Sequence, residues 1–120
     1  MAKILVIDDN EILLETTSEI LKLNGHEVVS TSDSAHIFDL LKESFDILIT
    51  DIIMPEIEGL EVILHAKEKH PNLKAIAITG KGSKESVNIL DVASGIGADA
   101  TLRKPFRGDV LISEVDKLLR

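Results

Sequence analysis

The chain contains no cysteine, tryptophan or tyrosine, and only three phenylalanines and three prolines among its 120 residues. Without cysteine there are no disulfides, thiolate metal ligands or thiol nucleophiles. With so few aromatics there is no platform on which nucleobases or a flavin ring would stack. Basic residues are also scarce: 13 Lys and Arg against 21 Asp and Glu give a formal net charge of −8. That balance opposes direct nucleic acid binding, which relies on Lys and Arg neutralising phosphates. It equally opposes an anionic membrane surface. No run approaches the roughly 18 apolar residues of a membrane span. The start, MAKILVIDDN, lacks the longer apolar region and small-residue cleavage site of a signal peptide. A cytoplasmic protein without membrane contact is the expectation.

What is present is a foldable apolar fraction of 44%. A chain of this length buries roughly two-thirds of its unfolded surface, and one domain over residues 1–120 is expected. Short apolar runs alternate with amphipathic segments. The runs are Ile4–Ile7, Glu27–Thr31, Asp46–Thr50, Ala75–Thr79 and Ala100–Arg103. The first, third and fourth are almost continuous in Ile, Leu, Val and Ala, as parallel strands covered on both faces should be. The second is mixed and suits a sheet edge.

Helical periodicity fills the gaps. Leu13, Thr17, Ile20, Leu21 and Asn24 form a stripe over about 10–24, with Gly25 as a stop. Ile37, Leu40 and Leu41 form one over 34–43, with Asp33 or Ser34 as cap. Leu60, Ile63, Leu64 and Lys67 repeat over 58–69. Val87, Leu90 and Ala93 repeat over 83–94, capped by Ser83, and Leu111, Val115 and Leu118 repeat over about 108–119. Lys67, Glu68 and Lys69 read as a solvated helix end. The order βαβαβαβαβα predicts an α/β protein: a doubly wound, five-stranded parallel sheet with helices on both faces.

Open parallel sheets bind ligands beyond the C-terminal ends of their strands. Here the first strand ends in Asp8–Asp9, the third in Asp51, the fourth in Thr79 and the fifth in Lys104–Pro105. At about 4 Å, two carboxylates repel by roughly 4 kcal/mol at an effective dielectric near 20, so the acids need a cationic partner. Three carboxylates and one Lys sum to −2, which one divalent cation neutralises. Oxygen ligands without His or Cys favour magnesium. Metal, Lys, hydroxyl and spare carboxylates suit phosphoryl chemistry, and one Asp could itself be the nucleophile. Charge alone does not say which.

These residues carry a resemblance. ILVIDDN at 4–10, DILITDIIMPEIEG at 46–59, AIAITG at 75–80 and GADATLRKPF at 97–106 make the chain similar, along essentially its whole length, to the receiver domain of two-component response regulators. The resemblance implies the flavodoxin-like (βα)5 receiver fold with strand order 2-1-3-4-5. It implies Asp51 as phosphoacceptor, Thr79 as a hydroxyl that moves to the phosphoryl group, and Lys104 as its cationic partner, with a cis Lys104–Pro105 bond. Magnesium would be held by Asp9, Asp51 and the Ile53 carbonyl, with Asp8 acting mainly through water. The implied donor is a phosphohistidine on a sensor histidine kinase or phosphotransfer protein. Phosphorylation would switch the face of helix 4, strand 5 and helix 5, in the predicted order, for an output domain or protein partner, with a homodimer possible. Such a chain catalyses only its own modification and is not otherwise an enzyme. Departures are Thr101, where the family usually has an aromatic residue, Glu58 before Gly59, and Arg107 after KPF.

The competing reading is a small aspartyl-phosphate phosphatase or phosphotransferase. Those enzymes place DxDx[TV] after the first strand, whereas this chain has Asp8–Asp9–Asn10–Glu11. GKGSKES at 80–86 lacks the GxxxxGK[ST] spacing of a phosphate loop. His26, His36, His65 and His70 show no metal spacing and read as solvated or half-buried.

Overall fold

The computed structural model describes residues 2–54, 59–80, 95 and 97–120. Five strands, β1 (Lys3–Ile7), β2 (Glu27–Thr31), β3 (Ile47–Asp51), β4 (Lys74–Thr79) and β5 (Ala100–Arg103), form one sheet of order β2-β1-β3-β4-β5, and every pairing is parallel. The described helices are α1 (Glu11–Leu23), α2 (Ser34–Leu40), α3 (Gly59–Lys69) and α4 (Gly108–Leu118). α4 is the fifth helix of the predicted order. The predicted helix over 83–94 lies outside the described residues, as do Glu58 and the 81–86 part of GKGSKES.

Alternation along the strands divides the core. Leu5, Ile7, Leu48, Ala75 and Ala77 face one way and pack with Ile37 and Leu41 and with Val62, Ile63 and Ala66 of α3. Ile4, Val6, Ile47, Ile49, Ile76 and Ile78 face the other way, against Leu14 and Leu21 of α1 and Leu111 and Val115 of α4. The predicted fold class and strand order are both found. β2, with its mixed composition, is an edge strand as expected.

Helix faces differ in detail from the sequence stripes. α1 buries Leu14, Thr17, Ser18 and Leu21 rather than centring on Leu13 and Asn24. The Ser18 hydroxyl is satisfied by the Leu14 carbonyl at 2.8 Å, so a polar residue enters the core at small cost. Leu13 and Ile20 are displaced to a half-buried flank. α3 buries Gly59, Val62, Ile63 and Ala66, and Leu64 of the predicted stripe is 46% exposed. Gly59 and Ala66 let α3 approach the sheet closely, Val62 and Ile63 fill its buried face, and Leu64 is left on a flank. α2 ends at Leu40, three residues earlier than predicted, with Leu41 as its C-cap.

Caps fix the helix starts. Asn10 accepts from the amides of Ile12 and Leu13, both at 3.1 Å, and Asp33 accepts from Ala35 at 2.9 Å. Gly25, at φ 87°, terminates α1 in the left-handed region that glycine favours. No described helix is long and apolar enough to cross a membrane.

Candidate functional site

The register brings the predicted residues to one end of the sheet. Ile7 pairs with Thr50, so Asp8 and Asp51 follow at the same level; Asp51 pairs with Ile78, and Thr79 with Arg103. Asp8 shares strand parity with Ile4 and Val6, and Asp51 with Ile47 and Ile49, so both carboxylates leave the sheet on the side of α1 and α4. Lys104 shares parity with Leu102, which belongs to that same side.

Lys104 Nζ donates to Asp51 Oδ2 at 2.7 Å and forms an ion pair with Asp8 Oδ2 at 2.8 Å. Its backbone amide donates to the Thr79 carbonyl at 2.8 Å, and the Lys104–Pro105 peptide is cis, as expected. Asp8 and Asp51 are 5% and 6% exposed. Asp8 Oδ1 accepts from the Asn10 amide at 2.9 Å, and Asp51 Oδ1 from the Ile53 amide at 3.1 Å. Asp9 is exposed, and one oxygen each from Asp8, Asp9 and Asp51 lie within 4.8 Å of one another.

Two buried carboxylates therefore share one partly buried cation. Burial pushes the Asp51 carboxyl above the usual 3.8; the hydrogen bond from Lys104 and its charge pull it down, and the charge of Asp8 adds to the rise. Burial opposes the charge on Lys104, but its hydrogen bonds to Asp51 and Asp8 outweigh that, and its pKa lies above 10.5. Three hard carboxylate donors converging with one ammonium leave a local charge of −2. That donor set fits a divalent cation such as magnesium without rearrangement of the strands.

Thr79 ends β4 at the same end of the sheet, with the strand parity of Ala75 and Ala77 on the α3 side. It is fully buried, and its Oγ1 has no hydrogen-bond partner among the described residues. A buried hydroxyl without a partner costs about 1–3 kcal/mol, so an acceptor brought to it would be bound favourably. Ile53 is 54% exposed in the segment leaving β3. Gly59, the last residue of DIIMPEIEG, sits against that segment. Its amide donates to the Ile52 carbonyl at 2.7 Å, and a Cβ there would overlap the Asp51 carbonyl oxygen.

The histidines lie apart from this cluster, and the acids above are the only His, Cys, Asp or Glu group among the described residues able to hold a metal. Lys67 differs from expectation. It is not a solvated helix end: its Nζ donates to Asp99 Oδ2 and to the Leu73 carbonyl, both at 2.7 Å, and Asp99 Oδ2 also accepts from the Ala75 amide at 2.8 Å. The sequence signal was Asp99 itself, standing just before β5 and able to reach a cation on a neighbouring element.

A family profile described as Response regulator receiver domain matches residues 4–116. Transcriptional regulatory protein CpxR of Escherichia coli (strain K12) is 33% identical over 122 residues, covering 100% of this chain and 50% of that protein. Response regulator SaeR of Staphylococcus aureus (strain USA300) is 28% identical over 119 residues, covering 99% of this chain and 51% of that protein. The chain thus spans about half the length of these relatives. Among solved structures, a response regulator receiver domain protein from Clostridium thermocellum matches with a TM-score of 0.87 at 32% identity, covering 99% of this chain and 94% of that one.

Proposed function

Because the chain belongs to the response regulator receiver domain family, we propose that it is a phosphoacceptor, one receiver domain over residues 1–120, whose Asp51 takes a phosphoryl group from a phosphohistidine. The observation that carries this reading is the buried Asp51 carboxylate, held by Lys104 at 2.7 Å at the strand ends where Asp8, Asp9 and Thr79 also sit.

The step follows from these groups. An Asp51 oxygen attacks phosphorus as the donor's N–P bond breaks, the imidazole nitrogen keeps the bonding pair and takes a proton from solvent, and an aspartyl phosphate forms. Lys104 exchanges its Asp51 oxygen for a phosphoryl oxygen and neutralises it. Thr79, whose hydroxyl has no partner among the described residues, donates to a second phosphoryl oxygen. Asp8, Asp9, Asp51 and the Ile53 carbonyl would hold magnesium, which when bound supplies positive charge to the oxygens of the group in transfer.

The donor is a sensor histidine kinase or a phosphotransfer protein. The readout surface is the face that carries β5 and α4, which engages an output domain or protein partner, or a second copy of the chain. The switch is a shift of population, because Thr79 and Lys104 engage the phosphoryl group in one arrangement only. Thr101 on β5 takes the place of an aromatic, so the relay to that face runs through the backbone ends of β4 and β5, which the Lys104 amide joins to the Thr79 carbonyl. The phosphatase alternative gains no support: Asn10, where a catalytic acid would stand, is spent capping α1.

Incubation with acetyl phosphate and magnesium tests the assignment. Wild type incorporates phosphate and Asp51→Asn does not. Equal incorporation by both would remove Asp51 from its role.

A further inference from the structure

A cavity of about 250 Å³ opens beside the acid cluster, on the side away from Lys104, and the phosphoryl chemistry makes no use of it. Its floor is apolar: Ile7 and Ile37 are each 1% exposed, and Met54 packs against the same cluster of the core. Its rim carries Asp9 and Asp33 beside Ser32 and Ser34, and no Lys or Arg among the described residues lines it. Asp9 makes no hydrogen bond or ion pair within the described residues. The Asp33 carboxylate accepts from the Ala35 amide at 2.9 Å and meets His36 Nδ1 at 3.0 Å, and its side chain remains 55% exposed.

An apolar floor under two carboxylates selects by charge and by size. An anion would be repelled by both acids, and a polar ligand without an apolar body would leave Ile7, Ile37 and Met54 uncovered. The volume is below the roughly 300–1,000 Å³ of sites for drug-sized ligands, so the occupant is small. We propose that this cavity binds a small organic amine, its ammonium between Asp9 and Asp33 and its short apolar body on Ile7, Ile37 and Met54. The amide at the start of α2 is turned into the Asp33 cap, which reduces its repulsion of a cation.

Asp9 also belongs to the carboxylate set that would hold magnesium. Amine and magnesium then draw on one carboxylate and repel each other, so each weakens the other's binding by the same factor. This coupling rests on the metal reading given above; the cavity itself does not.

With no Trp or Tyr in the chain, the readout is the ¹³C-methyl spectrum of Ile and Met residues of the full chain, with calorimetry for affinity. Benzylamine is the probe and benzyl alcohol its uncharged counterpart. Saturable benzylamine shifts are expected at Ile7, Ile37 and Met54 and not at Ile112 on α4, with benzyl alcohol at least about tenfold weaker. Saturating magnesium chloride is expected to raise the apparent benzylamine Kd about fivefold. Asp33→Asn keeps a side-chain acceptor at the cap but removes a rim charge, and should weaken benzylamine several-fold while leaving the remaining methyl spectrum in place. Absence of saturable shifts, or equal affinity for amine and alcohol, overturns the proposal. Magnesium is titrated separately into amine-free protein. Magnesium binding without amine binding overturns the cavity assignment and leaves the metal reading standing. Amine binding without magnesium binding supports the cavity and overturns the metal reading and the coupling.

Discussion

Two glycines in this chain are needed for different reasons, and substituting each by alanine separates them. At Gly25 the backbone sits at φ 87° with nothing within 4 Å of a built Cβ, so the problem is conformation alone. Gly59 lies in open helical backbone but has no room: a Cβ would overlap the Asp51 carbonyl oxygen and lie 2.6 Å from Ile52 Cα and 2.9 Å from the Asp51 carbonyl carbon. These are backbone atoms and cannot rotate aside, so Gly59→Ala must push the start of α3 away from the segment after β3. Overpacking of this kind costs about 1–3 kcal/mol. Losing the 2.7 Å bond from the Gly59 amide to the Ile52 carbonyl costs about 1 kcal/mol more. Alanine's better helix propensity returns under about 1 kcal/mol. The net is a loss of about 1–3 kcal/mol, which for a chain of this size is a Tm lowered by about 4–12 °C. Gly25→Ala should cost about 1 kcal/mol, the price of left-handed backbone. Urea denaturation followed by far-ultraviolet circular dichroism measures both. A magnesium titration then separates them further. Gly59→Ala displaces the carbonyl of Asp51 and should weaken magnesium several-fold, whereas Gly25, at the other end of α1, should leave it alone. A Gly59→Ala protein within about 0.5 kcal/mol of wild type, with normal magnesium affinity, would refute the close-approach argument.

Other outcomes follow from the same geometry. Lys104→Met leaves Asp8 and Asp51 buried without their cation, and should destabilise the metal-free protein by about 2–4 kcal/mol, with magnesium restoring much of the loss in a thermal melt. Asp51 has a carboxyl raised above 3.8 by burial; the folded state therefore holds its proton longer than the unfolded state, and stability falls as pH rises from 3.8 through the raised value. Asp51→Asn should lack that decline, which parallel urea titrations across the acid range would detect; identical slopes would contradict it. Lys67→Met removes two 2.7 Å hydrogen bonds, to Asp99 and to the Leu73 carbonyl, and should lower stability by about 1–2 kcal/mol without changing phosphate incorporation from acetyl phosphate.

The strands that were easiest to read are those whose burial leaves no choice. Ile4–Ile7 and Ala75–Thr79 are buried from both sides by helices, so their composition is apolar throughout and their ends mark the site. That Asp8, Asp9, Asp51, Thr79 and Lys104 fall at one end of the sheet has a related cause: each stands at or directly after the end of a strand, and parallel strands end on one side. The helices were harder, because three or four residues per turn leave two flanks, and only packing decides which flank is inside. In α1 the core took Ser18 once its hydroxyl could bond to Leu14; periodicity had no means of ranking it above Leu13. The role of Lys67 is hidden from local pattern because Asp99 comes beside it only through the β4–β5 pairing, which places the start of β5 beside β4. The cavity over Ile37 and Met54 is likewise a product of assembly, since it joins residues following β1, β2 and β3 that no local pattern connects.

The two apolar clusters touch the same sheet from opposite sides and share no residue. Their contributions to stability are therefore close to independent, and substitutions at Ile37 and at Val115 should add with little interaction energy. The carboxylates sit at the sheet end where both clusters terminate. Packing on one side of the sheet can therefore change while the other side holds the strand ends, and with them the acids, in place.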